Sequence, residues 1–597
     1  MNRNTESHFA HVPELNHPRS RFDRSFSHKT TFDFGQVIPV YCEEVLPGDT
    51  VSITTSKLVR LQTMLAPILD NMYLDTYFFF VPNRLVWKHW EEFMGENKQS
   101  AWIPPVEYSV PCVGAPAGGF QSGTIADYLG LPVGVNWDAT DIHAPTALAF
   151  RGLAMICNEF FRDQNLTDPL VIPDGDSNII GSNGSNYLED VAKGGMPFVA
   201  AKFHDYFSSC LPAPQKGPSV VVPTTGYLPV IAAYPHEITF KGAPESFYPD
   251  KVSPFMWAGV DPTLQSDFSH SVTVGTDGVS YWANDFNYGS HQAVYSSPKA
   301  AFPGSGYLAG TPLNLWASAE PTFIDKANTY LPYVRGDSTF SAGLGIDIAS
   351  LRLASITQMY YEALARGGSR YDEQIRSFFG ITSPDSRLQH PEYLGGNRIQ
   401  INVHEITNQA QSEEDFLGDL GAYSATADVH SDFTHSFTEH GILFGLVVAR
   451  YDHTYTQGMP QQFTRKSRLD FYNPLFANIG EQPVYQSEIY ASSSNLNSTS
   501  VFGYQEAWAS YRYSPNRASA LLRPGADQSL GHWTVADHYA SAPTLSDGWI
   551  REDKSNVDRV LAVTSSLSNQ LFGDFYFNAT WVRCMPMYSV PGVRGVF

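Results

Sequence analysis

The sequence predicts a mainly β protein, an antiparallel β-sandwich carrying long helical and irregular insertions. Three observations lead there. Apolar runs of strand length recur along the chain, some alternating with polar residues and some apolar on both faces. Turn residues punctuate them, with 40 Pro and 46 Gly among 597 residues. Helical periodicity is confined to three segments, and no internal repeat accompanies it.

Residues 1–29 are polar, with His, Arg and Pro, and read as an extended arm. Within it Arg19, Arg21, Arg24 and Lys29 alternate loosely with Phe22 and Phe26. From Thr30 the pattern becomes β. Val37–Val40 leads into the turn Leu46-Pro-Gly-Asp49, where Pro presets φ and Gly permits a positive one. Val51, Ile53 and Thr55 then alternate with Ser52 and Thr54. Met72–Val81 is apolar on both faces apart from Asp75. It is too short for a membrane helix and too aromatic for a surface strand, so a strand buried between two layers is expected.

A helix is expected over 145–164, with Pro145 in its first turn. Leu153, Ile156, Cys157, Phe160 and Phe161 form its apolar stripe, with Arg151, Glu159 and Arg162 outside it. A second helix runs from an Asp347 cap to Arg366 and stops at Gly367-Gly368. A third begins at Ser369, in a capping box with Asp372, and ends at Gly380. Residues 218–325 are rich in Gly, Pro, Ser and aromatics and sparse in charge. They read as an irregular or β-rich insertion, of a length that usually serves function. β character returns in the alternating Arg398–His404 and the two-sided Gly441–Ala449. The chain thus divides into an arm (1–29), a β-rich first part with a helical insertion (30–217), the variable insertion (218–325) and a β-rich remainder with helices near 347–380 and a C-terminal extension (326–597).

Composition narrows the function. Charged residues make up 16 %, below the about 25 % of an average domain, while aromatics reach 14 %. Together these exclude disorder and point to a chain that hides much of its surface in association. Acids exceed bases by 60 to 38, and the net charge of −22 excludes a conventional basic nucleic-acid binder. The N-terminal MNRNTESHFAHV has no apolar core, so no secretory signal is expected. No apolar stretch approaches the ~20 residues of a membrane span, so no membrane insertion is expected. The cysteines Cys42, Cys112, Cys157, Cys210 and Cys584 are scattered and form no C-x-x-C. That argues against a zinc site or disulfide framework and for a reduced, cytosolic product.

Catalytic motifs fail. His404-Glu405 and His236-Glu237 open an H-E-x-x-H, but the fifth positions are Asn408 and Phe240. Gly343-Leu-Gly345 opens a dinucleotide fingerprint that Ile348 breaks, and it is better explained by the approach to a helix. Neither a P-loop nor a G-x-S-x-G occurs. No catalytic residue, metal or cofactor is expected. Two basic clusters remain: the arm, with Arg19, Arg21, Phe22, Arg24, Phe26 and Lys29, and Arg465-Lys466-Ser467-Arg468. Cations beside rings suit single-stranded nucleic acid, charge tracking phosphate and rings stacking bases. The more ordinary reading is that these cations pair with the abundant carboxylates or with a neighbouring subunit.

Particular strings carry a resemblance. Asn158-Glu-Phe-Phe-Arg-Asp-Gln-Asn-Leu166, Phe203-His-Asp-Tyr-Phe-Ser-Ser-Cys-Leu-Pro-Ala-Pro-Gln-Lys-Gly217, Gly367-Gly-Ser-Arg-Tyr-Asp-Glu-Gln-Ile-Arg-Ser-Phe-Phe-Gly380 and Ser383–Gly396 resemble the major capsid proteins of microviruses, the gokushovirus branch in particular. Phe26–Gly35 and Leu46–Asp49 fit as well, so the likeness runs from about residue 20 past 470. It implies a viral jelly roll of eight strands in two antiparallel sheets. It implies a shell of sixty copies around a circular single-stranded DNA genome, assembled in a bacterial cytoplasm. The implied partners are a small basic DNA-binding protein, an internal scaffolding protein, a DNA pilot protein and a host surface receptor. No catalysis is implied. The 218–325 insertion would form a protrusion at the three-fold axes, with Trp257, Phe268, Tyr281, Trp282 and Tyr288 packing a small β core or contacting the host. The competing reading is a β-rich carbohydrate-binding adhesin or glycoside hydrolase, suggested by the aromatics and the acidity.

Overall fold

The computed structural model describes residues 18–98, 106–221, 348–407 and 420–589, together with eight short strands between Val230 and Gly336. The chain divides into two compact units, Met1–Pro218 with Gln358–Phe597, and Ser219–Thr357.

The first unit is built on nine strands: β1 (Ser20–Asp23), β2 (Phe26–Phe32), β3 (Ile38–Val45), β4 (Thr50–Leu61), β5 (Met72–Pro82), β6 (Glu392–Gln400), β7 (Thr426–Ser436), β8 (Gly441–Tyr451) and β9 (Leu571–Arg583). β1 and β2 both pair with β9 and occupy one edge position, so the first sheet has four positions in the order β1/β2–β9–β4–β7. The second runs β6–β5–β8–β3. Every pairing is antiparallel. With β1 and β2 counted as one edge, successive strands alternate between sheets except β5 and β6, which are neighbours. This is the two-sheet arrangement of a jelly roll, and the long insertions leave it after β5 and after β8.

Its core explains the two-sided strands. Along β5, Met72, Leu74, Phe78 and Phe80 face the sandwich interior, while Phe79 and Val81 enter a second core on the sheet's other face. β8 divides the same way, with Leu443, Val447 and Ala449 inward and Ile442, Phe444, Leu446 and Val448 outward. The outer layer is helix α1 (Leu148–Ile156), followed by a wider helical turn over Cys157–Phe161. Helix and sheet approach closely: a Cβ on Gly152 would lie 3.0 Å from the Phe444 ring. The expected turn closes as Asp49 N–H donates to the Leu46 carbonyl, with Gly48 at φ +88°. Pro39 is tolerated because β3 is an edge strand and bulges at the neighbouring Val40.

Four expectations change. The second half of the arm is not free, because residues 20–32 form the β1/β2 edge on β9. Arg151 is fully buried rather than outside the helix stripe. Residues C-terminal to β5 cover that face, and its guanidinium donates to the Val86 and Gly175 carbonyls. Arg398–His404 is two strands, since the chain breaks between β6 and Val403–Thr407, which hairpins with Leu420–Ser424. The third helix, α3 (Tyr371–Gln374), is capped one residue later than expected, by Glu373 accepting from Arg370 N–H at 3.0 Å. It follows helix α2 (Ile348–Gly367) and continues as a wider turn to the left-handed Gly380. The expected Asp347 cap lies outside the described residues.

In the second unit, nested antiparallel pairs join Val230–Ile238 to Thr329–Gly336 and Phe255–Ala258 to Asn314–Ala317. Two tighter hairpins, Val272–Val274 with Ser280–Trp282 and Asn287–Tyr288 with His291–Gln292, lie between them in the chain. The outermost pair carries the unit past residue 325.

Candidate assembly and nucleic-acid interface

The strings that carried the resemblance are distant in sequence and meet in space. Arg370 donates to the Asn158 carbonyl at 2.7 Å and pairs with the Glu159 carboxylate at 3.6 Å, which His390 Nδ1 also approaches at 3.6 Å. Gln164 donates to Glu373 at 2.6 Å. Lys216 bridges Ser369 Oγ at 2.7 Å and Asn165 at 3.2 Å. In this half-buried junction each string satisfies another's backbone or carboxylate, where an unpaired group would be costly.

A second network explains Asp75, the odd residue of β5. Its buried carboxylate accepts from Arg398 at 2.6 Å, Arg450 at 2.5 Å and Tyr77 at 3.0 Å. Phe203 lies against both guanidinium groups at 4.2 Å. A third network is buried within the insertion that follows β8. His453 lies between Asp537 (Nδ1 to Oδ1, 2.9 Å) and Glu552 (Nε2 to Oε1, 3.0 Å). Lys202 stands 3.7 Å from Asp537, which also accepts from Tyr539 at 2.6 Å and Asn556 at 2.8 Å. Burial alone would lower the imidazole, but the two carboxylates outweigh it and push His453 up to about 9.

The arm cluster is a sheet edge. Phe22 and Phe26 turn inward against the core, Phe26 stacked on Tyr41 and close to Phe577, each with centroids 5.4 Å apart, so neither ring is free to stack a base. Arg24 pairs with Glu43 at 2.5 Å and covers Trp581. Lys29 pairs loosely with Asp574 at 3.5 Å, and Arg21 donates to Thr580 at 3.2 Å. Arg19 is exposed.

The second cluster is more open. Arg465 stacks on Tyr511 at 4.0 Å and donates to Ser510. Lys466 and Arg468 are exposed, their side chains without a partner among the described residues, while the Lys466 and Ser467 amides are held by Asp470. Around them Phe463, Leu469, Phe471, Leu475 and Ile479 stand open to solvent, Leu475 at 88 % and Phe463 at 68 %. Beside them lies a cavity of about 280 Å³, lined among others by Thr456, Phe463, Tyr513, Arg517 and Arg523. Sequence reading missed Arg517 and Arg523. The signal was present in Tyr511-Arg-Tyr513 followed by Arg517 and Arg523, the same mixture of cation and ring. No hydrogen bond or ion pair joins the two basic clusters among the described residues.

Of the insertion residues, Trp257 pairs across its hairpin with Leu315, Tyr281 with Thr273, Trp282 with Val272 and Tyr288 with His291. Phe268 lies outside the described residues. Among the described residues no group of His, Cys, Asp and Glu is arranged to hold a metal, and no helix is long and apolar enough to cross a membrane.

Comparison with known proteins matches residues 10–593 to the family described as capsid protein (F protein). The capsid protein VP1 of Chlamydia phage 1 is 37 % identical over 99 % of this chain and 98 % of its own length. That of Spiroplasma virus 4 is 36 % identical, covering 97 % and 96 %. That of Bdellovibrio phage phiMH2K is 34 % identical, covering 100 % and 99 %.

Proposed function

We propose, from the premise that this chain belongs to the phage capsid protein (F protein) family, that sixty copies close into an icosahedral shell around a circular single-stranded DNA genome. Family membership itself makes the chain a major capsid protein, a structural component of the virion and not an enzyme. The observation that carries the shell reading is the open apolar face from Leu469 to Ile479, on a chain otherwise depleted in charge. A soluble monomer rarely leaves so much large apolar surface uncovered, and heterologous contacts between copies in a closed shell would bury it. Assembly would occur in the bacterial cytoplasm, with a small basic DNA-binding protein, an internal scaffolding protein and a DNA pilot protein as partners. The Ser219–Thr357 unit would face outward toward a host receptor, with Trp257, Phe268, Tyr281, Trp282 and Tyr288 in its packing or contact surface. The exposed cations Arg19, Arg21, Lys29, Lys466 and Arg468 would face inward.

Negative-stain microscopy and native mass spectrometry of the virion test this. Sixty copies of a 66.2 kDa chain give about 4 MDa of shell protein. A different copy number overturns the count. Density placing Arg19–Lys29 on the outer surface overturns the inward assignment. Sugar release or glycan binding by the isolated chain would favour the adhesin or hydrolase reading instead.

A further inference from the structure

We propose that the cavity between Thr456, Phe463, Tyr513, Arg517 and Arg523 is a subsite for one nucleotide of single-stranded nucleic acid. The inference rests on the genome-enclosing reading and locates one point of contact within it. Three independent features converge there. Arg517 and Arg523 are exposed and line the cavity, and neither side chain has an ion-pair or hydrogen-bond partner among the described residues. The aromatic rings of Phe463 and Tyr513 line the same space and are 68 % and 52 % exposed. Thr456, also in the lining, is 92 % buried, yet its hydroxyl has no hydrogen-bond partner among the described residues.

A buried hydroxyl without a partner carries a desolvation penalty, which a ligand offering a donor or acceptor would remove. Cations for phosphate, ring faces for stacking and a polar group at depth for a base edge are the requirements of single-strand binding. An acidic peptide would use the cations but leave the rings and the hydroxyl unexplained. The only acid among the lining residues, Glu488, does not oppose an anion strongly. It accepts from Tyr206 at 2.9 Å and from Tyr485 N–H at 3.1 Å, and burial raises its pKa. At Gly458, in the lining, a Cβ would collide with the Glu488 carbonyl, so the two segments can pass this closely only with glycine there.

The test uses the full chain and fluorescein-labelled oligo(dT), followed by anisotropy across a salt series. The double variant Arg517→Ala/Arg523→Ala should bind at least tenfold more weakly. Its slope of log affinity against log salt should fall by about 1.4, for two single-strand phosphates no longer neutralised. Arg517→Lys/Arg523→Lys should restore most of that slope. Thr456→Val should keep the slope but lose preference for oligo(dT) over an abasic strand of equal length. Phe463→Ala should weaken oligo(dT) and leave the abasic strand unchanged. Arg60→Ala, an exposed cation elsewhere, should change neither. The subsite is overturned if the arginine double variant retains wild-type affinity and slope. It is also overturned if polyglutamate displaces the probe as well as an abasic strand does, with Phe463→Ala and Thr456→Val silent; that outcome assigns an acidic peptide. Virions that contain no single-stranded DNA would instead overturn the genome reading itself, whereas DNA-filled virions with silent variants would remove only this site.

Discussion

His453 is buried with two carboxylates and the Lys202 ammonium, and its protonation balances that cluster. Its folded pKa of about 9 stands above the ordinary 6.5. A raised folded pKa means the stabilisation is fully present below pH 6.5 and is lost as pH rises through about 9. The linkage is worth about 3 kcal/mol. Thermal melts of the subunit should therefore fall between pH 6.5 and 9, and His453→Gln should lower the melt at neutral pH and flatten the decline. A wild-type melt that stays level over that window would show the histidine to be neutral in the fold. Asp75→Ala removes the shared acceptor of Arg450, which is largely buried, and of the half-exposed Arg398 beside Phe203, and should cost about 1–3 kcal/mol by chemical denaturation.

Single strands and hairpins can be probed the same way. Phe78 is fully buried and meets Tyr41, Phe433 and Phe577 from three other strands, so Phe78→Ala should cost about 3–5 kcal/mol in urea titration. In the second unit Val230 and Gly336 are register partners, so the two chain ends are about 5 Å apart and a short Gly-Ser linker can replace what lies between them. That deletion should spare shell formation and reduce infection; loss of particles with no separable defect in host binding would count against an outward role. At this scale the sequence was informative. Met72–Val81 and Gly441–Ala449 announced two-sided burial because no other setting suits residues that are apolar on both faces. The β1/β2 edge was less legible. Its alternation of Arg and Phe is what a half-buried strand and a basic arm share, and only the partner strand, more than five hundred residues downstream, distinguishes them. The cavity was illegible for a related reason: Thr456, Phe463 and Arg523 come from separate short segments with no period to link them.

For the whole molecule, charge sets the problem. On the proposed reading, an acidic shell around a polyanionic genome cannot condense it by bulk neutralisation, so a basic partner would have to supply most of the countercharge and the shell only local contacts. Particles assembled without that partner should band at the density of empty shells, and adding it should raise their absorbance ratio at 260 to 280 nm. The order of strands has a separate consequence, in time rather than space. β9 lies between the β1/β2 edge and β4, so the first sheet lacks an interior member until Leu571–Arg583 has been synthesised. A nascent chain can bury the helix-covered face of the second sheet early, but it must hold the rest of the sandwich open until translation is nearly finished. Such late, long-range closure is slow. A chain interrupted before residue 571 should accordingly stay sensitive to protease and never enter a particle, which limited proteolysis and sedimentation of truncated chains would check.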